Sequence, residues 1–78
     1  MTISADAILA VVAEESGLDL SALRLDATFE QLDIGSIDVA STIFAIEDKF
    51  GVVVEPDMLG PTSTISEFVA LVTRLSAA

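Results

Sequence analysis

Ser36-Ile37-Asp38-Val39-Ala40-Ser41-Thr42-Ile43-Phe44-Ala45-Ile46-Glu47-Asp48-Lys49-Phe50 is the stretch on which the reading of this chain turns. Apolar Val39, Ile43, Ile46 and Phe50 fall at i, i+4, i+7 and i+11, while Asp38, Ser41, Thr42, Ala45, Asp48 and Lys49 recur on the opposite side with the same period. Residues three and four apart share a helix face, so the spacing predicts an amphipathic helix. The β-branched residues Ile37, Val39, Thr42, Ile43 and Ile46 lower its intrinsic propensity by up to ~0.7 kcal/mol each relative to Ala. Burial of one face must hold it. Ser36 reads as the N-cap, Asp38 complements the positive end of the helix, Lys49 complements the negative end, and Gly51 supplies the stop.

Upstream, from Gly17 to Gly35, the helical period disappears but single apolar anchors remain: Leu18, Leu20, Leu23, Leu25, Phe29 and Leu32. This reads as a long ordered loop, with a short turn of helix around Ser21 to Leu23 led by Asp19 as cap. Connections of this length without regular structure are uncommon in small domains and are usually functional. Before the loop, a first helix is expected from Thr2 or Ser4 to Ser16, with Ile8, Val11 and Val12 on one face and Gly17 closing it. Glu14 and Glu15 sit at its negative end, which costs of order 0.3–1 kcal/mol each.

Downstream, Val52-Val53-Val54 is extended by propensity and has no second strand to pair with. Pro56 suits the first position of a short helix, Pro56 to Leu59, ended by Gly60-Pro61. Thr64-Ile65-Ser66-Glu67 is a capping box opening a last helix, with Phe68, Val72 and Leu75 on one face. The expected fold is all-α: a four-helix bundle of three longer helices and one short, with the long loop between helices I and II, in one domain spanning 1–78. Phe29, Leu32, Ile43, Ile46, Phe50, Val54, Met58, Leu59, Ile65, Phe68 and Val72 are its expected core.

Composition narrows the chemistry. The chain has 78 residues, 13 acidic and 3 basic side chains, a formal charge of −10, and no His, Cys, Trp or Tyr. A chain this short buries only roughly 60–65% of the surface its unfolded form exposes, which leaves no mass for a deep enzyme cleft. At 53% hydrophobic it is too apolar for an acidic disordered segment. Without Cys and His there are no disulfides, zinc sites, thiol nucleophiles or imidazole bases. The negative charge opposes nucleic acid and anionic membranes and favours partners with Lys/Arg patches. No targeting pattern or membrane span is visible, so a soluble cytoplasmic protein is expected.

Carboxylates are the plentiful ionisable groups, yet with 13 of them some pair meets a catalytic separation by chance, and no enzyme is read from that. Asp33 to Asp38 lacks the alternating ligands of a calcium loop, so no metal site is expected either. Ser36 has two readings. It is an ordinary cap worth about 1 kcal/mol, or a hydroxyl at a helix N-terminus, where phosphate is favoured, open to modification by another enzyme. No His, Cys or suitably placed Lys is present to activate it as a nucleophile.

Phe29-Glu30-Gln31-Leu32-Asp33-Ile34-Gly35-Ser36-Ile37-Asp38, followed by Ala45-Ile46-Glu47-Asp48-Lys49-Phe50-Gly51, resembles an acyl carrier protein around its phosphopantetheine-bearing serine. The resemblance extends over essentially the whole chain. It implies that Ser36 carries a covalent 4′-phosphopantetheine, added from coenzyme A by a phosphopantetheinyl transferase, whose thiol holds acyl groups as thioesters. It further implies a carrier rather than an enzyme, a monomer, served by acyl-transferring or synthase enzymes with basic patches that dock on Ile37, Asp38, Ser41, Thr42, Glu47 and Asp48. A subset of the core, Phe29, Ile43, Ile46, Phe50, Leu59, Ile65 and Phe68, is expected to line an acyl pocket. The family usually reads Asp-Ser-Leu with Gly two residues before that Asp, where this chain has Gly35 and Asp33; Ser41 and Thr42 also thin the usual row of acids. A specialised carrier with dedicated partners is therefore expected, alternatives being a polyketide, peptidyl or D-alanyl carrier, or an unmodified acidic adaptor for basic proteins.

Overall fold

Ser4 opens the first helix in extended geometry, its hydroxyl accepting from the Ala7 N–H at 3.2 Å. Gly17, at φ +76°, closes it by donating its N–H to the Ala13 carbonyl at 2.9 Å. Between these caps, α1 (Ala5–Ser16) buries Ile8, Val11 and Val12, as the spacing predicts. The computed structural model describes residues 3–60 and 62–77, so the alternative start at Thr2 and the stop at Pro61 lie outside the described residues.

Two further helices follow, α2 (Ser36–Phe50) and α3 (Ile65–Ala77), with 3-10 turns at Leu20–Ala22 and Pro56–Met58. The protein is all-helical, and the described residues contain no strand, only an isolated antiparallel bridge between Thr28 and Thr64. The short helix expected over Pro56–Leu59 is that single 3-10 turn. Asp19 stands at the N-cap position of the Leu20–Ala22 turn, without the side-chain hydrogen bond expected of a cap. The box at the head of α3 forms as read: the Thr64 N–H donates to Glu67 Oε1 at 3.0 Å and the Glu67 N–H to Thr64 Oγ1 at 3.1 Å. Val52 and Val54 are buried and Val53 exposed, the period-2 pattern of an extended segment without a strand partner.

α1 packs against both α2 and α3. The core gathers Ile8, Val11 and Val12 of α1, Ile43 and Ile46 of α2, and Ile65, Phe68 and Val72 of α3, together with loop residues Leu23, Phe29 and Ile34. The rings of Phe29 and Phe68 meet edge to face, centroids 5.8 Å apart, a pairing worth about 0.5–1.5 kcal/mol beyond burial. Met58, expected in the core, is 48% exposed because the 3-10 turn points it outward, and Leu32, Phe50 and Leu59 are only half-buried. Of the loop anchors, Leu23 and Phe29 are buried while Leu20 and Leu25 face solvent.

Thr42, expected on the solvent face and among the docking residues, is 2% exposed. Positions 42, 45 and 49 form one row along α2, and Lys49 at its end reaches Glu14 of α1 at 3.6 Å. That row therefore faces α1, and Thr42 is covered by it. The Thr42 hydroxyl is satisfied by donating to the Asp38 carbonyl at 2.8 Å. A Thr42→Glu chain should lose ~3 kcal/mol or more, because the new carboxylate is buried without a partner. Denaturant titration checks this, and a loss under 1 kcal/mol would restore the solvent-face placement. The exposed Lys49–Glu14 pair offsets part of the unfavourable end charge on α1, by at most about 1 kcal/mol.

Candidate functional site

The loop reaches Ser36 through a turn that the sequence reading did not resolve. The Thr28 N–H donates to Gln31 Oε1 at 2.9 Å, and the Gln31 N–H to Thr28 Oγ1 at 3.0 Å. This is a second Thr-x-x-Gln/Glu box, of the same kind as Thr64–Glu67, and the pattern was there to be read. One helical turn follows, with the Leu32 N–H on the Thr28 carbonyl, and ends at Asp33 with φ +59°. The Asp33 N–H then bonds the Glu30 carbonyl at 3.1 Å and the Ile34 N–H the Phe29 carbonyl at 2.9 Å, the two bonds of a Schellman ending. Phe29 and Ile34, the apolar pair that accompanies such an ending, are both buried. Asp33 thus occupies a left-handed position that favours Gly, one that Asp tolerates better than most residues.

The turn is also fastened to the head of α3. The Phe29 N–H donates to the Ser63 carbonyl, the Ile65 N–H to the Ala27 carbonyl and the Ser66 N–H to the Leu25 carbonyl, at 3.2, 3.0 and 2.9 Å. Loop, α3 and the start of α2 are therefore set relative to one another by backbone bonds as well as by the Phe29–Phe68 contact.

Gly35, not Ser36, is the N-cap: its carbonyl accepts the first helical bond, from the Val39 N–H at 3.0 Å. Ser36 is the first helical residue and is exposed, and none of the side-chain hydrogen bonds among the described residues uses its hydroxyl. It contributes no cap, so the structural reading of this serine loses its basis. The N–H groups of the first turn lack helical acceptors and favour an anion beside them. Gly35 lies at φ −74°, ψ 171°, and a Cβ there would meet nothing within 4 Å. Gly35→Asp should therefore raise stability by about 0.5–1 kcal/mol, through a capping carboxylate and a less flexible unfolded chain. A lowered denaturation midpoint would contradict that.

A cavity of about 250 Å³ opens beside Ser36, which forms part of its wall. Phe29 and Ile34 of the loop turn, Val39, Ala40 and Ile43 of α2, and Leu59 and Gly60 beyond the Pro56–Met58 turn complete it. Of the residues expected to form an apolar pocket, Phe29, Ile43 and Leu59 line this cavity. Ile46, Ile65 and Phe68 are wholly buried in the core instead, and Phe50 is half-buried at the end of α2. Ile34, Val39, Ala40 and Gly60 are its additional walls.

The outer face of α2 carries Ile37, 80% exposed, and Phe44, 73% exposed, with Ala40, Glu47 and Asp48 also in solvent. Asp38 and Ser41 are half-buried. Phe44 escaped the sequence reading because it lies off the apolar stripe; an aromatic left outside such a stripe was the available signal. Among the described residues no cluster of His, Cys, Asp or Glu is suited to a metal ion, and no helix is long and apolar enough to cross a membrane.

A family model described as a phosphopantetheine attachment site matches residues 6–72. The acyl carrier protein of Streptococcus pneumoniae serotype 4 is 36% identical over 62 residues, covering 80% of this chain and 81% of that protein. The acyl carrier protein of Arthrobacter sp. (strain FB24) is 34% identical over 68 residues, covering 86% and 84% respectively. No solved structure gives a significant match.

Proposed function

The chain belongs to the acyl carrier protein family, a family of carriers rather than enzymes with a covalent 4′-phosphopantetheine, and from that premise we propose that Ser36 is the residue modified and that the chain is a specialised acyl carrier. One observation carries this: an exposed hydroxyl on the first turn of α2, unbonded among the described residues, at the rim of an apolar cavity. Those features fit the group. When attached, its thiol holds an acyl chain as a thioester.

The chain's own residues supply the rest. The first-turn N–H groups of α2 would favour the negative charge of a phosphate carried on Ser36. Gly35 keeps the approach to Ser36 free of a side chain. Phe29, Ile34, Val39, Ala40, Ile43 and Leu59 offer the acyl chain an apolar cover, worth ~0.8 kcal/mol per methylene buried. Residues 1–78 are read as one carrier domain, and the Pro56–Met58 turn takes the place of the short helix in a four-helix carrier.

Partner enzymes dock on Ile37, Asp38, Ser41, Glu47 and Asp48, joined by the exposed Phe44. The specialised role is supported by Gly35 and Asp33, which depart from the family's usual motif, and by a docking face that mixes apolar Ile37 and Phe44 with only a few acids. Affinity for the transferase should fall severalfold between about 0.01 and 0.15 M salt, as the Debye length shrinks from ~30 to ~8 Å. Calorimetric titration reads this out, and a salt-independent affinity would assign docking to the apolar contacts alone.

Intact mass spectrometry after co-expression with phosphopantetheinyl transferases of narrow and broad range tests the assignment. One added phosphopantetheine is the expected result. An unchanged mass with every transferase would leave the chain an unmodified acidic adaptor.

A further inference from the structure

Acid and glycine stand in inverted places before Ser36. Asp33 lies at φ +59°, the one non-glycine residue with positive φ among the described residues. Glycine alone takes that conformation without pressing a Cβ against the following carbonyl. Gly35 lies at φ −74°, ψ 171°, a region open to any side chain, and a Cβ there would meet nothing within 4 Å. Glycine at 33 and an acid at 35 would each suit the backbone better, yet the chain has the reverse.

The Asp33 carboxylate is not used within the fold. Asp is tolerated in a left-handed position where its side chain bonds locally, but Asp33 enters none of the side-chain hydrogen bonds and no ion pair among the described residues. Only its N–H is engaged, on the Glu30 carbonyl. The residue is exposed, whereas Asp38, on the other side of Ser36, is half-buried. A left-handed residue without an internal partner for its side chain points to a role outside the fold.

The turn also fixes where this charge stands. Phe29 and Ile34 anchor it in the core, and three residues of chain place the Cα atoms of Asp33 and Ser36 no more than about 11 Å apart. Gly35 leaves the space between them free of a side chain.

On the reading of Ser36 as the attachment site, we infer that Asp33 is a specificity-determining residue of the modification: its carboxylate pairs with a Lys or Arg side chain of the transferase and so positions Ser36. Asp33 makes and breaks no bond. The Ser36 oxygen bonds the pantetheine-side phosphorus of coenzyme A, the phosphoanhydride bond breaks, adenosine 3′,5′-bisphosphate leaves, and the serine proton passes to the transferase.

The test measures initial rates by intact mass, with coenzyme A, over a range of apo-protein concentrations, using the transferase that modifies the unaltered chain fastest. Asp33→Asn keeps the shape and the tolerance of left-handed backbone but loses the charge. Its KM for the carrier should rise about tenfold, the loss of one charged hydrogen bond, with kcat within about twofold, as for a contact made before the chemical step. Asp33→Gly should raise KM equally while melting no lower than the unaltered chain, and Asp33→Glu, which keeps the charge, should restore most of the affinity. Asp6→Asn, the same charge change on α1, should leave KM as it is. An unaltered KM for Asp33→Asn, or an equal rise for Asp6→Asn, overturns the role of Asp33 and leaves Ser36 as the attachment site. A rise for Asp33→Gly alone does the same, by making the position a backbone one. A chain that no transferase modifies at Ser36 overturns the attachment reading and the role of Asp33 with it.

Discussion

Ser36→Ala is expected to abolish the gain of phosphopantetheine completely while leaving the fold as stable as before, within about 0.5 kcal/mol. The two halves of this result have separate causes. Loss of modification follows because the hydroxyl oxygen is the atom that would bond the phosphorus, and alanine has no substitute for it. Retained stability follows because the Ser36 hydroxyl takes no part in the side-chain hydrogen bonds among the described residues and Gly35 holds the cap position. A serine acting as N-cap would instead cost about 1 kcal/mol on replacement by alanine. The measurements are intact mass after co-expression with a transferase, and a denaturant titration of the purified variant. Retained modification would move the attachment elsewhere in the chain. A loss near 1 kcal/mol would return Ser36 to a structural role.

Phe68→Ala should have the largest effect on the fold. The ring is fully buried and meets Phe29 edge to face, and truncation of such a ring typically costs 3–5 kcal/mol. A domain of this length has a total of only about 4–12 kcal/mol, so the variant should melt at least ~12 °C lower, at roughly 4 °C or more per kcal/mol, and fail to fold if stability lies at the lower end. The consequence reaches the site, because Phe29 is both the partner of Phe68 and a wall of the cavity beside Ser36. Phe44→Ala is the matched control, since that ring is exposed and its loss should change stability by no more than about 0.5 kcal/mol. Equal melting temperatures for the two variants would refute the placement of Phe68 at the centre of the core.

Local signals were legible where they act over a few residues. The caps Ser4, Gly17 and Gly51 and the Thr64–Glu67 box were readable because each needs only one residue type at one spacing. Thr28–Gln31 obeys the same rule, but it sits in a stretch without apolar period, so its single helical turn reads as loop from the sequence. The cap of α2 was misplaced by one position, because Ser is the commoner cap chemically whereas the backbone gives that place to Gly35. Asp33 has no periodic signature, and its left-handed geometry emerges only from the closing bonds to Phe29 and Glu30.

The order of residues by itself determined the class of the fold, the three main helices and the buried faces of α1 and α3, since helical period and caps are properties of a line of residues; Ser36 stood out only through the resemblance of the motif around it. Which side of α2 meets solvent was decided by tertiary structure. An apolar stripe points a helix at the core in general, but only the position of α1 tells that Thr42 is covered while Phe44 is left outside. The cavity beside Ser36 likewise belongs to the assembled molecule: its walls come from the loop turn, α2 and the segment after Pro56–Met58. Packing geometry between segments distant in sequence has no local period, and so these walls exist only once the chain has closed on itself.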